Sequence, residues 1–278
     1  MRGTGCPPIE HLARVVFLGR DWRKCYMAFA MYSDASGGLI NAAKVISGYI
    51  ASVEDWQRFD TDWKLTLAHD NVPYFHMKEF AHFKGPYSDW KGQDTRRANF
   101  LARLVSVTRD NLRCRITSVV GIKAFADLDR EYMLTEGVDG VHALAARTVV
   151  RKAREWMNEN HRGEPWKVVF ESGDTDDDAT QSLLRVRFKN DGFPIPSFEP
   201  KKDENGVWFT PFQAADFAAW EFRKFTQMRD DGFIRSLYDV RKSFMNLSTM
   251  RHKDGVYEKA DLLKMCKAGG VPRRTLTA

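Results

Sequence analysis

Apolar positions along the chain follow two periods, one typical of strands and one typical of helices. Short apolar runs that end in polar or small residues predict strands at residues 25–34, 42–52, 113–125, 166–172 and 196–202. Apolar residues three and four positions apart predict helices at residues 52–70, 95–112, 140–161, 179–193 and 210–228, with a shorter helix inside residues 74–92. Because the first two strands follow each other closely, we expect them to form an antiparallel hairpin.

The order of these elements predicts the fold class. Two consecutive strands, a third after a helical stretch, and then strands that alternate with helices are typical of a mixed sheet with helices on both faces. We therefore expect an α/β protein built as a three-layer sandwich over residues 26–228. Residues 1–25 form an N-terminal extension, and residues 229–278 form a C-terminal extension that is predicted to be helical and packed on the same domain, with the last ten residues frayed.

Composition narrows the classes of protein to consider. Hydrophobic residues make up 43% of the 278 residues and aromatic residues 13%, which indicates a folded globular chain. The formal charge of +6 suits a polyanionic partner such as nucleic acid, although it does not require one. No apolar run reaches the roughly 18 residues that a membrane span needs, so no membrane partner is expected. The oligomeric state stays open.

The cysteines argue against a zinc site and against a disulfide framework. Cys6, Cys25, Cys114 and Cys266 form no closely spaced pair, and none has a histidine at ligand spacing. We expect free thiols in a reducing compartment. With no stretch typical of a signal peptide, the predicted location is the cytoplasm.

Two carboxylates follow predicted strands in the same way. Asp34 comes after an apolar run and precedes Ala-Ser-Gly, and Glu171 comes after Val-Val-Phe and precedes Ser-Gly. In open α/β sheets, side chains at strand ends project into a crevice where binding and catalytic residues gather. If the two strands are neighbours, the like charges are close, and a cation between them would offset their repulsion. Mg²⁺ and Mn²⁺ prefer such oxygen ligands.

Asp216 is a third candidate carboxylate, at the edge of the apolar stripe of the last predicted helix. Phe212, Ala215, Ala219 and Phe222 form this stripe at helical spacing. Carboxylates at a buried seam are paired, hydrogen-bonded or metal-bound. The position therefore indicates a functional role for Asp216.

His76 and Glu79 form a fourth candidate group. They are three positions apart, which places them on one face if the segment is helical, where they could supply a metal ligand and a proton carrier. A histidine among aromatic residues is more often a hydrogen-bonded packing residue. Both interpretations stay open on spacing alone.

The acidic run at residues 173–178 has the alternation of a calcium loop but not its other residues. Ala179 and Arg185 stand where that loop needs glycine and glutamate. Capping of a helix that begins near Asp178 explains most of the run. Only Asp174 is kept, as a candidate outer ligand.

Four motifs in order resemble those of one family. They read MYSDASG, FHMKEFAHFKGPYSDW, VVFESGD and FQAADFAAWEFRK. Over residues 26–226 the chain resembles the domain-of-unknown-function 3800 family, whose members are similar to ribonuclease H in fold. The family's first motif usually reads Asp-Glu-Ser-Gly, and Ala35 stands here in place of that glutamate.

The resemblance implies a metal-dependent nuclease. Ribonuclease H-like nucleases hold two metal ions with acids on the first strand, a helix, a later strand and the last helix, so Mg²⁺ or Mn²⁺ is the expected cofactor and DNA or RNA the expected partner. The corresponding residues are Asp34, His76, Glu79, Glu171 and Asp216 with Gln213. Asp34 is expected to bridge the ions, Glu171, Asp216 and Glu79 to complete the coordination, and His76 to carry a proton or orient a ligand. Candidates for outer ligands or for holding substrate are Ser36, Asp174, Gln213, Lys78, Lys201 and Arg223.

Two other functions stay open. A non-catalytic module on the same fold would bind nucleic acid or protein without cutting, and Ala35 is the best support for it. Another metal-dependent phosphoesterase, such as a nucleotide phosphatase, would use the same carboxylates, because the carboxylate ligands of a metal site do not by themselves determine its substrate.

Overall fold

The strands and helices follow most of the predicted segments. This computed structural model describes residues 29–37, 42–173 and 178–274. The strands are β1 (Phe29–Ser36), β2 (Ala43–Ser52), β3 (Cys114–Gly121), β4 (Trp166–Glu171), β5 (Ser197–Glu199) and β6 (His252–Tyr257). The helices are α1 (Val53–His69), α2 (Met77–Ala81), α3 (Asp94–Asn111), α4 (Ile122–Glu131), α5 (Leu134–Val138), α6 (Gly140–Asn160), α7 (Asp178–Asn190), α8 (Thr210–Asp230), α9 (Lys242–Ser248) and α10 (Lys259–Ala268).

The strands form one mixed sheet in the order β5-β4-β1-β2-β3-β6. β2 is antiparallel to both β1 and β3, which confirms the predicted hairpin. The pairs β1–β4, β4–β5 and β3–β6 are parallel. β2 therefore runs against all the other strands. The α/β class is confirmed, and helices on both faces fit a three-layer sandwich.

Strand residues alternate between two hydrophobic layers. On one face Ala30 and Tyr32 pack with α1, α3 and α8. On the other face Phe29 and Met31 pack with α4, α6 and α10. Because side chains alternate along a strand, Asp34 shares the face of Tyr32, which is the face that α8 covers.

The prediction of a strand over residues 113–125 was wrong for its last four residues. β3 ends at Gly121, and α4 begins at the next residue. Phe125 and Leu128, three positions apart, are the buried residues of α4. Gly121 stands at the boundary as the N-cap residue of α4, and the predicted strand extended past this glycine.

The prediction that residues 229–278 are helical was wrong for β6. This edge strand pairs in parallel with β3 and has the sequence HKDGVY, with no alternation of apolar residues. Backbone pairing and an ion pair between Asp254 and buried Arg115 hold it, rather than apolar burial. A strand stabilised in this way leaves no hydrophobic period in the sequence.

Some predictions concern residues outside the described ranges. These are the N-terminal extension, with Cys6 and Cys25, and Asp174. Within the ranges, Cys114 and Cys266 are buried and free, as expected. The described helices include none that combines the length and the apolar character of a membrane span.

Candidate functional site

Asp34 and Glu171 lie side by side at the ends of two neighbouring strands. Ser33 is paired with Phe170 in the parallel register of β1 and β4, and Asp34 and Glu171 are the next residues on these two strands. Asp34 is 1% exposed and Glu171 is 6% exposed. The sequence left open whether these two strands are neighbours. They are adjacent, and they bring two buried carboxylates together.

The chain itself supplies a cation between these carboxylates. Nζ of Lys201 lies 3.1 Å from Oδ2 of Asp34 and 3.8 Å from Oε2 of Glu171. Burial lowers the Lys201 pKa, but the charges of Asp34, Asp216 and Glu171 outweigh burial and raise that pKa above its usual value. Lys201 is therefore protonated at neutral pH and compensates part of the acidic charge. The sequence suggested that Lys201 holds phosphate, whereas the structure places its ammonium between the two carboxylates.

Glu199 is a carboxylate that the sequence analysis missed. It pairs with Glu171 in the register of β4 and β5, and paired residues of parallel strands share a face of the sheet. Burial and the charge of Glu199 raise the pKa of Tyr32, which lies on that face. Asp34, Glu171 and Glu199 thus form a row across three strands. The shared Phe-Glu ending of β4 and β5 was the available signal.

Asp216 and Gln213 on α8 fix the backbone that leads into α2. Oδ2 of Asp216 accepts the backbone N–H of Met77 at 2.7 Å. Oε1 of Gln213 accepts the backbone N–H of Phe75 at 2.7 Å and Nε1 of Trp63 at 3.0 Å. Gln213 is buried. Its side-chain oxygen is therefore used in positioning the segment that carries His76.

His76 and Glu79 are brought together by the start of α2. His76 is the residue before the first turn, and its Nδ1 lies 3.4 Å from Oε1 of Glu79. Oε2 of Glu79 accepts the hydroxyl of Tyr74 at 2.8 Å, and burial together with Glu79 raises the Tyr74 pKa to about 12. Gly85, at φ 55°, leaves room for this carboxylate, since a Cβ there would lie 2.4 Å from Oε2. The structure thus places Glu79 with His76 and Tyr74.

Most of the remaining candidates line a cleft of about 580 Å³ beside the carboxylates. Its charged and aromatic lining residues are Lys44, His76, Lys78, His82, Lys201, Asp216, Trp220 and Arg223. Ser36 lies at the same cleft, and its Oγ accepts Nε of Arg223 at 2.9 Å. Basic side chains therefore outnumber acidic ones in the lining, which favours an anionic ligand.

The oxygen donors suit a hard divalent ion in kind, but they are not arranged around a common point. Asp34, Glu171 and Asp216 are carboxylates, the ligand type that Mg²⁺ and Mn²⁺ prefer. In the part of the chain that the structure describes, no three His, Cys, Asp or Glu side chains are grouped as a metal site. Lys201 lies between two of them. An ion would take that position only if the ammonium moved.

Comparisons of the chain with protein-family profiles, with curated proteins and with solved structures find no match. The similarity to the domain-of-unknown-function 3800 family therefore stays a hypothesis that rests on the four sequence motifs. The geometry described above stands independently of it: a row of carboxylates in which Asp34 and Glu171 are buried, a lysine between those two, and a basic cleft.

Proposed function

We propose that the chain is a metal-dependent nuclease with a ribonuclease H-like fold. The supporting observation is the juxtaposition of buried Asp34 and Glu171 with a basic cleft that Asp216 also lines. These acids come from the first described strand, a later strand and a late helix, which matches three of the four positions that the family resemblance implies. The site thus joins carboxylates that suit a metal ion to cations that suit a phosphate.

Each residue has a role in this proposal. Asp34 would bridge Mg²⁺ or Mn²⁺ ions, with Glu171 and Asp216 as further ligands. When bound, such ions lower the pKa of an attacking water and stabilise the departing oxygen. His76 would carry a proton to the leaving group, and its contact with Glu79 would orient the imidazole ring. In this proposal Glu79 orients His76 and is not a metal ligand.

The cleft would hold the phosphates of the nucleic acid. Lys44, Lys78 and Arg223 line it and provide positive charge next to the carboxylates. Binding through phosphate contacts releases counterions, so affinity should fall as salt concentration rises. DNA and RNA both present this backbone, and the proposal covers either one.

A cleavage assay with a matched substitution tests the proposal. The substrates are single-stranded DNA, duplex DNA, RNA, an RNA-DNA hybrid and small phosphate esters, each with Mg²⁺ or Mn²⁺. We expect at least one nucleic acid to be cut, and we expect Asp34→Asn to reduce the rate by about 100-fold or more, because a metal ligand is lost. Asp110→Asn is the control, since this carboxylate is 63% exposed and paired only on the surface. Uncut substrates throughout, or an active Asp34→Asn, would contradict the proposal.

A non-catalytic nucleic-acid-binding module is the second candidate, and one observation favours it. Lys201 already compensates Asp34 and Glu171, so the carboxylates have a counterion without any metal. This candidate predicts that the protein binds nucleic acid in the presence of a chelator and leaves it uncut. Hydrolysis of small esters alone would instead indicate another phosphoesterase.

A further inference from the structure

We propose that the Lys201 ammonium is an exchangeable counterion: it compensates Asp34 and Glu171 in the metal-free protein, and a divalent ion displaces it. This inference rests on the metal binding in the proposed function. It adds that the chain carries its own competitor for the metal position.

The anchoring of Lys201 would allow its ammonium to leave without a change in the backbone. The backbone carbonyl of Lys201 accepts the N–H of Phe209 at 2.9 Å, and the next residue, Lys202, forms a bridge with Trp208. The ammonium is at the end of a four-carbon side chain with several rotatable bonds. The side chain is 25% exposed, so a path to solvent already exists.

The charges around Lys201 favour exchange for an ion of higher charge. Asp34 and Glu171 are almost fully buried, and Glu199 is next to Glu171 in the sheet. The ammonium carries one positive charge, whereas a divalent ion carries two and prefers carboxylate oxygens as ligands. A purely structural ion pair would keep Lys201 in place whatever ion is added.

Chemical labelling of the wild-type protein gives a direct readout of displacement. A protonated, enclosed amine reacts slowly with an amine-acetylating reagent, and a released amine reacts faster. With Mn²⁺ as the probe, we expect acetylation of Lys201, measured by mass spectrometry, to rise by about tenfold. Lys202 is the internal control and should keep its rate, because it is exposed and its ammonium lies over the Trp208 ring at 4.5 Å. Unchanged Lys201 labelling at a saturating Mn²⁺ concentration would overturn the inference.

Substitution of the same two lysines tests competition. We expect Lys201→Met to bind Mn²⁺ about tenfold more tightly than wild type in calorimetry, because the competing charge is gone. In chelator it should unfold at a lower temperature, and adding Asp34→Asn should recover part of that loss. Lys202→Met should resemble wild type in both measurements.

The outcomes separate the inference from the proposed function. If wild type and both variants bind Mn²⁺ equally, Lys201 does not compete and only the inference is wrong. If none of them binds Mn²⁺, the metal-dependent function is wrong and the inference is lost with it. A combined variant no more stable than Lys201→Met alone would mean that Lys201 acts through packing, which also overturns the inference.

Discussion

Met77 donates its backbone N–H to Oδ2 of Asp216 at 2.7 Å, so a candidate metal ligand is also a structural acceptor. The bond joins α8 to the first residue of α2, directly after His76. Asp216 also lines the basic cleft. Its charge and its hydrogen bond therefore serve different purposes, and substitution can separate them.

Asp216→Asn should weaken metal binding and leave the free energy of unfolding nearly unchanged. The amide oxygen still accepts the Met77 N–H, so we expect a free energy of unfolding within about 1 kcal/mol of wild type. Mn²⁺ affinity should fall by about tenfold or more, because the negative charge is lost. Asp216→Ala removes the acceptor as well and should cost about 1–2 kcal/mol. Urea unfolding and calorimetry measure the two effects, and equal destabilisation by both variants would disagree with this account.

Gly173→Ala should disturb the site through Glu171. The N–H of Gly173 donates to Oε1 of Glu171 at 2.7 Å, and a Cβ at Gly173 would lie 2.7 Å from the same oxygen. The carboxylate would have to move, so we expect about tenfold weaker Mn²⁺ binding with unfolding free energy changed by less than about 1 kcal/mol.

Gly121→Ala is the matched control for Gly173→Ala. Its new Cβ would meet its nearest neighbour at 3.5 Å, an ordinary contact. Mn²⁺ affinity should be unchanged. If Gly173→Ala also leaves Mn²⁺ affinity unchanged, Glu171 is not a ligand.

Asp254→Asn should destabilise the fold more than is usual for a substitution on an edge strand. Arg115 is 1% exposed, and its Nη2 lies 2.9 Å from Oδ2 of Asp254. Removing the carboxylate leaves a buried guanidinium without its charged partner, which costs about 3 kcal/mol. Arg115→Met replaces that charge with an apolar side chain and should cost less than Asp254→Asn.

The control for this ion pair is Asp230→Asn. Asp230 pairs with Arg229 where both side chains are 43% exposed, so we expect a change of about 0.5 kcal/mol or less. Thermal and urea unfolding give the values. Similar costs for Asp254→Asn and Asp230→Asn would show that burial of Arg115 does not matter.

His142 should make the protein sensitive to acid. Burial and the charge of Lys44 lower the pKa of His142 to about 3. Because the unfolded value is about 6.5, the unfolded chain takes up the proton first as pH falls. The contribution of neutral His142 to the free energy of unfolding is complete above a pH of about 6.5. As the pH falls further toward 3, this contribution decreases by up to about 1.4 kcal/mol per pH unit.

Urea unfolding across this pH range tests the His142 contribution. His142→Gln should flatten the dependence of unfolding free energy on pH. The exposed His82 is the control position, and His82→Gln should keep the wild-type slope. A slope that His142→Gln leaves unchanged would assign the acid sensitivity to other groups.

Local patterns were sufficient to predict much of the fold. The spacing of Trp56, Phe59 and Trp63 predicts α1, and all three residues are buried. Alternating or continuous apolar runs predict β1, β2 and β4, because those strands lie in the interior of the sheet, where burial imposes a hydrophobic pattern. β6 lies at the edge and is held by backbone pairing and Arg115, so no such pattern marks it.

Two carboxylates of the site, Asp34 and Glu171, were visible in the sequence, but their neighbours were not. Asp34 and Glu171 stand out because each ends an apolar strand and is followed by small residues, a local property. Their adjacency depends on the pairing of β1 with β4, which are more than a hundred residues apart along the chain. Long-range pairing of this kind leaves no local signal in one sequence.

The sequence by itself determined the α/β class, the elements with strong hydrophobic periods and the acids at the strand ends. Only the tertiary structure decided that Lys201 lies between Asp34 and Glu171, and that Glu199 continues their row. The physical reason is that burial leaves a period along the chain, whereas an ion pair depends on distance in space. A lysine on a loop looks the same in sequence whether it faces solvent or a buried carboxylate.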